Sequence, residues 1–540
     1  MPTKHDGIII GAGPNGLTTG AYLSKAGLKV LVLERRTEGG GGLATEEVTI
    51  PGFFHNTHSI YHMMVDYAPP YKDFQIEEVY GCKYIRPPLQ FALPLSDGRC
   101  LCLYTDVDKT CNSIAQFSQR DATSYRNFYH KLNRYMEAFL GPATYVPPLG
   151  PLDQVAKLEK TEIGKEINAY TEKSPREIVD EFFENKHVRA MMLYIACHWG
   201  LEHDVEGVGY LALVNLNRST NYQLCAGGSH MLAQALMKAV IENGGMIWGS
   251  QQIKRIVLQD GAATGVELDD GTIIEADKGI VSSIDTYQTF FKLVGEGNLE
   301  KDFVKKLKTW KWEKWSLFVS HLALEEPPNF SAAAANPDVN KAFVYIIGCE
   351  TEEELIKHWE AIGRGELTSA GFNCCFPSIH DPSQAPLGRH TGLISQMVPY
   401  QLKEGADKWY RIKFKEEHGE RCLTTLRKYA PNLTADKILW SSFCTPMDIE
   451  NKFTDMVEGS IKQGQYHPLQ MGYNRPNDEC SQNITPIKRL YLCGSSCHPG
   501  GLITFGAGYV AANRIAEELG VKKWWTEPEI ITKAKEVGLL

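Results

Sequence analysis

The stretch DGIIIGAGPNGLTTGAYLSKAGLKVLVLE, residues 6–34, is typical of one complete β-α-β unit. Its first apolar run, Ile8 to Ile10, is too short for a helix and ends at the pattern G-x-G-x-x-G of residues 11–16. A helical apolar pattern follows at once, ends at Gly27, and leads into a second apolar run that stops at Glu34. We therefore predict a strand, a helix and a strand at the start of the chain.

The glycines of this unit predict a turn that binds phosphate. Gly11 permits the tight turn, Gly13 lets the backbone approach a pyrophosphate, and Gly16 lets the helix pack closely on the strand. The free N–H groups and the positive dipole end of the helix then face the phosphates. Glu34 lies roughly 20 residues beyond the loop, where a carboxylate can accept hydrogen bonds from a ribose diol. Since strand, helix and acid agree, we interpret the unit as a dinucleotide site.

A second glycine cluster, residues 39–42, narrows the choice of dinucleotide. It comes only four residues after the acid, and residues 43–47 (Leu-Ala-Thr-Glu-Glu) follow it. A nicotinamide-binding unit has no need of a second cluster so soon. Flavoproteins often have one, because the chain there passes over the ribityl and pyrophosphate groups with no room for side chains. We therefore favour FAD over NAD.

This passage resembles the phytoene dehydrogenase-like branch of the FAD-dependent amine oxidase and carotenoid desaturase superfamily. In that family a Glu-Arg-Arg stretch, a Gly-Gly pair and Thr-Glu-Glu come in this order. Residues 222–290 are also similar, with a glycine pair, a helix and hairpins, and so is the stretch TPIKRLYLCGSSCHPGGLITFGAGY, residues 485–509. The chain departs from the family at Cys497, where Thr is common, and at Tyr509, where a small residue is usual. The resemblance covers both ends of the chain and residues 222–290 strongly, and across the substrate domain it is loose.

The resemblance implies an α/β fold in two parts. A Rossmann-like FAD-binding domain would be built from discontinuous segments, residues 1–85, 222–300 and 455–540. An α+β substrate domain with a mixed or antiparallel sheet and helices would take residues 86–221 and 301–454. Apolar patterns predict strands in both parts, among them hairpins over 253–276, a last buried strand at 279–285, and strands at 317–324, 343–347 and 392–398. A long helix is predicted over 409–429.

The resemblance also implies which residues hold the cofactor. The backbone at Ile253 would contact the adenine, and Gly494 would approach the ribityl chain. The helix from Gly506 would point its N-terminus at the flavin N1–C2=O edge, where its dipole stabilises the negative charge that hydride arrival leaves. No Cys stands where covalent amine oxidases tether flavin, so we expect a dissociable, non-covalent FAD. The expected cofactor-binding residues are Gly11, Gly13, Pro14, Asn15, Gly16, Glu34, Arg35, Gly41, Gly42, Leu43, Ile253, Gly494, Ser495, Gly501, Leu502 and Gly506.

Four side chains are the candidates for catalysis, because their segments converge on the flavin in the family. They are His58, His467, Tyr473 and His498, and none forms an acid–base pair in the sequence. His55, Tyr61 and His62 are further candidates for lining the site, although a histidine is as often a buried group that satisfies the backbone. The segment from His198 to His203 could face a pocket or simply end a helix at Gly200. We favour the helix end.

Composition excludes several classes of function. The 540 residues suffice for two cores, and 43% hydrophobic and 22% charged residues are those of a soluble globular protein. A net charge of −9 without Lys/Arg-rich runs argues against a nucleic-acid partner. The 14 cysteines have no zinc-type spacing, so we expect no metal. Residues 1–6 enter the first strand without a secretory signal, and no run is long enough to span a membrane. We expect a cytoplasmic chain with reduced thiols.

One stretch leaves peripheral membrane association open. Residues 303–315 concentrate Lys and Trp, as in segments that lie on an anionic membrane interface. The alternative, which we favour, is a helix with a basic outer face followed by a strand. The expected small-molecule partner is an apolar or cyclic substrate. The electron acceptor (oxygen, quinone or nicotinamide) and the oligomeric state stay open.

Together these features predict an FAD-dependent oxidoreductase of the dehydrogenase or desaturase type. A C–H bond of an apolar, polyene or alicyclic substrate would deliver hydride to flavin N5 and leave a C=C bond. This chemistry needs a pocket over N5, exclusion of water and a group that takes the second proton. The alternatives are a flavin-dependent isomerase or hydratase with no net redox change, an amine-oxidase-type enzyme, or a binding protein that has retained the fold.

Overall fold

The computed structural model describes residues 5–540. The prediction that residues 1–6 contain no secretory signal concerns a segment of which residues 1–4 lie outside this range. Two large sheets organise the described chain, and their strands, with four short ones, are β1 His5–Ile10, β2 Val30–Leu33, β3 Thr45–Glu46, β4 His55–Asn56, β5 Tyr84–Ile85, β6 Leu89–Pro94, β7 Cys100–Tyr104, β8 Leu224–Cys225, β9 Met246–Trp248, β10 Ile253–Gln259, β11 Ala262–Leu268, β12 Ile273–Ser282, β13 Trp315–Leu324, β14 Val344–Ile347, β15 Phe372–Cys375, β16 His390–Pro399, β17 Ile438–Cys444 and β18 Leu490–Leu492.

The α-helices cover both sheets. They are α1 Pro14–Lys25, α2 Pro69–Asp73, α3 Val107–Ala115, α4 Gln119–Tyr135, α5 Gly141–Ala143, α6 Pro151–Leu158, α7 Glu162–Thr171, α8 Pro175–Phe182, α9 Lys186–Cys197, α10 Gly209–Arg218, α11 His230–Glu242, α12 Lys301–Lys308, α13 Glu352–Gly363, α14 Ile412–Arg427, α15 Pro446–Lys452, α16 Gly506–Glu518 and α17 Glu529–Glu536. Two π-helical turns, Met136–Leu140 and Gln288–Gly295, join them.

The first sheet is Rossmann-like. Its parallel part has the order β9-β2-β1-β12-β18, and β10 and β11 extend it as an antiparallel hairpin on β12. Helix α1 contacts both α11 and α16, and its Tyr22 is fully buried. Every residue of β2 is buried, as is usual for a parallel sheet with helices on its faces.

The second sheet is mixed, with the order β17-β13-β16-β15-β14-β6-β7. Its neighbours are antiparallel except for β14 and β6, which are parallel. The predicted fold class is thus confirmed. The first sheet draws its strands from residues 1–85, 222–300 and 455–540, and the second from 86–221 and 301–454. The domain boundaries themselves stay a prediction.

Two predicted elements differ from the structure. The runs 272–276 and 279–285 are one continuous strand, β12, whose first half pairs with β11 and whose second half lies between β1 and β18. The long helix predicted from Trp409 is a 3-10 turn, Ala406–Tyr410, followed by α14. Arg411 separates them because its ψ of 112° is extended rather than helical. Strands β15 and β17 had no prediction.

Candidate functional site

The turn between β1 and α1 presents bare backbone to a cavity. The N-terminus of α1 has no side-chain cap, and Pro14 occupies its first turn. A Cβ atom built on Gly13 would meet no protein atom within 4 Å, so that glycine faces open space. A Cβ on Gly16 would instead lie 2.2 Å from the carbonyl oxygen of Gly11, which fixes the close approach of helix to strand. The two glycines therefore serve different purposes, one toward a ligand and one toward the fold.

Glu34 ends β2 beside this turn. Its Oε2 accepts the Ala12 N–H at 2.9 Å and its Oε1 accepts the Arg36 N–H at 2.8 Å. These two backbone bonds fix the orientation of the carboxylate, which lines the cavity. Each oxygen keeps a further lone pair, so the group can accept hydrogen bonds from a diol.

The second glycine cluster folds over the first turn. The Gly40 N–H donates to the Ala12 carbonyl at 2.7 Å, and a Cβ on Gly41 would lie 3.1 Å from the Gly13 Cα. Gly41 and Gly42 line the cavity, whereas Leu43 is buried in the core behind it. Bare backbone of this cluster thus lies against the first turn, and its passage over the cofactor stays a prediction.

A cavity of about 510 Å³ extends from this turn to the second sheet, and we call it the long cavity. Its nucleotide end is formed by the β1–α1 turn, Glu34, the glycine cluster and Ile253 at the start of β10. Its other end, the chamber, lies on strands β13, β15 and β16 and on α9. The chamber residues are Tyr61, Tyr194, His198, Trp199, Leu317, Val319, Asn373, Leu393, Ser395 and Met397.

The polar groups of the chamber bond to one another. The Tyr61 hydroxyl donates to Asn373 Oδ1 at 3.1 Å, and the Asn373 amide donates to the Tyr194 hydroxyl at 3.0 Å. Burial raises the pKa of both tyrosines, so both are neutral phenols at pH 7. These bonds hold the three side chains in one arrangement on the chamber wall.

His198 and Trp199 line the chamber although α9 also ends here, with Gly200 at a φ of +93°. The helix end that we favoured is therefore present, and so is the pocket. His198 Nδ1 lies 3.0 Å from the Ile195 carbonyl, which makes it the protonated nitrogen, and Nε2 accepts from the Tyr222 hydroxyl at 3.3 Å. The Trp199 indole N–H donates to the same hydroxyl at 2.7 Å. Burial lowers the pKa of His198 to about 4, so the ring is neutral.

Charge is distributed unevenly along the long cavity. The chamber residues, all within the described chain, are neutral. The charged residues that line the cavity lie at or near its nucleotide end, and they are Glu34, Arg35, Arg36, Lys254, Asp269, Lys292 and Asp455. An anionic dinucleotide and an uncharged second ligand are the pair that this distribution suits.

Of the four catalytic candidates, His58 alone lines the long cavity. Its ring packs edge-on against Phe453 at 4.6 Å, and its Nε2 has no partner within the described chain. Burial lowers its pKa well below the usual value, and the charges of Lys452 and Arg36 lower it further. His58 is therefore a neutral imidazole with a free nitrogen.

The other candidates lie elsewhere. Tyr473 and His498 line a second cavity of about 660 Å³, and His498 Nε2 lies 2.9 Å from the Ala143 carbonyl. His467 lines neither cavity, and its Nδ1 accepts from the Leu469 N–H at 3.2 Å. Their catalytic roles stay predictions. His55 and His62 bond to Thr49 and to Tyr84 and Ser229, as buried structural histidines do.

The predicted cofactor residues near the C-terminus are likewise divided between the two cavities and packing positions. Ser495 and Leu502 line the long cavity, and Gly501 lines the second. A Cβ on Gly494 would lie 2.5 Å from the Ser283 carbonyl oxygen, which makes it a packing position. Gly506 begins α16 against Pro499 and the Thr144 carbonyl, at 2.5 and 2.6 Å from a built Cβ. Pro14, Asn15 and Arg35 line the nucleotide end, as expected of cofactor residues.

Sequence reasoning missed a group of buried polar side chains around the site. Lys462 and Glu313 form an ion pair with 1% and 3% of their side chains exposed, and the Lys462 ammonium also donates to the Trp199 carbonyl at 2.8 Å. At the nucleotide end, the Gln463 amide donates to Asp455 at 2.6 Å, and burial raises the pKa of Asp455 to about 6. No local pattern marks Lys462, because its partners Glu313 and Trp199 are distant in the chain.

The Lys- and Trp-rich stretch forms α12 and the entry to β13. Helix α12 buries Phe303, Val304 and Leu307 and exposes its lysines. The half-buried Trp310 packs on the Arg475 guanidinium at 5.3 Å. This is the helix with a basic outer face that we favoured, and membrane adsorption stays a prediction. No helix within residues 5–540 combines the length and apolarity that crossing a membrane requires. The same residues contain no group of three His, Cys, Asp or Glu side chains suited to a metal ion.

Comparisons with known proteins agree with this geometry. A family model described as an NAD(P)-binding Rossmann-like domain matches residues 9–75. The chain is 40% identical to one of the subunits of limonene dehydrogenase from Castellaniella defragrans, over 99% of this chain and 98% of that one. It is 24% identical to a lycopene-forming phytoene desaturase of a Paracoccus strain, over 92% and 94%. Cyclohexylamine oxidase of Brevibacterium oxydans shares the fold, with a TM-score of 0.60 and 15% identity over 96% and 100%.

Proposed function

The chain belongs to the phytoene dehydrogenase-like family of FAD-dependent oxidoreductases, and from that premise we propose that it binds one FAD non-covalently and dehydrogenates an uncharged alicyclic hydrocarbon. The observation that carries the proposal is the long cavity, with a charged nucleotide end and a neutral chamber. One end suits an anionic dinucleotide, and the other suits a molecule without charge.

The residues at the nucleotide end fit FAD. The uncapped N-terminus of α1 offers N–H groups and a positive dipole to a pyrophosphate, and the open space beside Gly13 lets that group approach. Glu34 is oriented by two backbone bonds to accept from a ribose diol. None of the residues that line the long cavity, all within residues 5–540, is a cysteine, which supports non-covalent binding.

Bound FAD would supply a hydride acceptor for a substrate C–H bond, and loss of a proton from the neighbouring carbon would then leave a C=C bond. The chain's own residues position the substrate and exclude water. Leu317, Val319, Leu393 and Met397 give the chamber its apolar wall. We propose that His58 takes this proton, because its neutral ring lines the same cavity and its Nε2 has no partner within the described chain.

The substrate class follows from the chamber and from the relative. The neutral side chains of the chamber would leave an ammonium group unpaired, which favours a hydrocarbon over an amine. The relative that is 40% identical is named for limonene, a cyclic monoterpene. We therefore assign a cyclic monoterpene-sized hydrocarbon to this chain.

An anaerobic titration tests the proposal. The purified protein should release FAD on denaturation, and limonene should bleach its flavin absorbance. Cyclohexylamine is the matched control of similar ring size, and dithionite gives the fully reduced spectrum. Bleaching by the amine but not by the hydrocarbon would contradict the substrate class. Conversion of limonene without any bleaching would instead support a reaction with no net redox change.

A further inference from the structure

The second cavity adjoins the long cavity. Met63 and Leu502 line both cavities, so these two side chains stand between them. Met63 is 3% exposed and packs in the main core. We propose that the second cavity is the entry port for the hydrocarbon substrate, which binds there first and passes between Met63 and Leu502 into the chamber. This inference rests on the proposed function, because the port serves a chamber that binds hydrocarbon.

A bound dinucleotide would close the nucleotide end of the long cavity to the substrate. The nucleotide end of the long cavity, from the β1–α1 turn past Glu34 to Ile253, is the part that a dinucleotide would occupy. Substrate cannot pass through space that the cofactor fills. A route from another direction would avoid the cofactor, and the second cavity, which Glu34 and Ile253 do not line, offers one.

Part of the rim of the second cavity is apolar, beside the ion pairs of Glu517 with Lys523 and Glu527 with Lys535, whose residues also line this cavity. Leu149 and Val155, which line it, are 37% and 42% exposed. Leu152 on α6 is 86% exposed, and Leu469, next to the lining residue Pro468, is 77% exposed. Single exposed apolar residues are normal on a protein surface, but a group of them around a cavity marks a place where an apolar molecule binds.

The wall between the cavities contains an unusual backbone. Leu502, Ile503 and Phe505 have φ values of +69°, +54° and +60°. Side chains with a Cβ rarely adopt this conformation, and for a branched residue such as Ile503 it is strained. Strain of this kind persists where surrounding packing imposes it, and it is concentrated at ligand sites. Leu502 lines both cavities, as is expected of a residue at a passage between them.

A cysteine placed at the mouth tests the route. The 14 native cysteines are buried, except for Cys444, which is half-buried, so a new surface thiol can be labelled selectively. Val155→Cys, labelled with benzophenone maleimide, places a bulky group at the mouth of the second cavity. Val79→Cys with the same label is the control, because Val79 is 58% exposed and lines neither cavity.

The probe is p-cymene, a hydrocarbon of monoterpene size, and its binding to the FAD-loaded protein is followed by the flavin absorbance in a stopped-flow instrument. The label at position 155 should slow association and dissociation by at least tenfold each and leave the Kd within twofold. A blocked route changes both rates equally, whereas a damaged site would change the Kd. The label at position 79 should change neither.

The narrow point between the cavities gives a second test. Met63→Trp should slow both rates, and Met63→Leu, which keeps the volume, should leave them within twofold. Parental rates in both the labelled Val155→Cys protein and Met63→Trp would overturn the route. If p-cymene binds to no form of the protein, the port is overturned as well. If its binding rates depend on the label but limonene does not bleach the flavin, the port stands and the proposed reaction fails.

Discussion

The two ends of the long cavity are built from different parts of the chain. The nucleotide end is mainly backbone: a glycine turn, the N-terminus of α1, and a carboxylate that main-chain N–H groups hold in place. The chamber is made of side chains that bond to one another across the fold. The contrast shows where substitutions should act. Side-chain changes near the chamber should cost folding stability, and changes at the turn should cost cofactor affinity.

The largest effect is expected behind the chamber. Lys462→Met removes one partner of the buried pair with Glu313 and leaves an uncompensated carboxylate, so we expect a loss of about 3–5 kcal/mol in the free energy of unfolding. Urea titration measures it. Lys305→Met is the control, because its side chain is 78% exposed, and it should cost under about 1 kcal/mol. The double variant Lys462→Met/Glu313→Gln should recover most of the loss. A loss below about 1 kcal/mol in the free energy of unfolding of Lys462→Met would contradict the expected difference between the two ends of the long cavity.

Asp455 sharpens the contrast, because it is a half-buried side chain at the nucleotide end. Burial raises its pKa from 3.8 to about 6, so the folded protein keeps a proton that the unfolded chain releases. The contribution of the Asp455 carboxyl to the free energy of unfolding is therefore fully present below about pH 4 and is lost as the pH rises through about 6. Asp455→Asn should raise the free energy of unfolding at pH 7.5 by up to about 3 kcal/mol, at roughly 1.4 kcal/mol per unit.

At pH 4 the Asp455→Asn variant and its parent should unfold alike. Thermal unfolding at a series of pH values gives the comparison. An equal difference at every pH would show that the carboxyl does not titrate in this range.

The glycine turn should give the converse result. Gly13→Val places a side chain in the space that the cofactor would take, at an overpacking cost of about 1–3 kcal/mol, which is roughly a fivefold to 150-fold weaker FAD Kd. The free energy of unfolding without FAD should hardly change, because no protein atom lies within 4 Å of the new Cβ. Flavin titration measures the affinity. Gly363→Val, also without neighbours, is the control. Unfolding of the variant would place Gly13 among packing positions instead.

The smallest effect is expected inside the chamber. Asn373→Leu removes the two hydrogen bonds with Tyr61 and Tyr194, and we expect a loss of about 1 kcal/mol in the free energy of unfolding. FAD content should be unchanged, because Asn373 lies at the end away from the nucleotide. Urea titration and flavin absorbance measure the two quantities. A loss of flavin would show that the ends are not independent.

The same contrast explains what could be predicted from the sequence. Gly11, Gly13 and Glu34 lie within one continuous unit, and their spacing carries a known backbone geometry. The chamber has no such signal, since Tyr61 and its partner Asn373 are 312 positions apart. Lys462 donates a hydrogen bond to the Trp199 carbonyl, 263 positions away in the sequence. The sequence alone does not show that Glu313 neutralises its charge. Local patterns therefore predicted strands and the cofactor, whereas contacts between distant segments decide the chamber.

The order in which the chain is synthesised has a consequence for how it matures. The Thr19 hydroxyl of α1 donates to the Gly508 carbonyl of α16 at 3.0 Å, across 489 positions of sequence. Translation at about 5–20 residues per second separates these residues by roughly 25 to 100 seconds. For about the first half of that time β12 is not yet synthesised, so β1 lacks this neighbour, and for the whole of it the dinucleotide turn lacks α16 beside it. The nascent chain thus exposes the apolar edge of β1 until β12 is made, and an exposed edge of this kind is prone to aggregation.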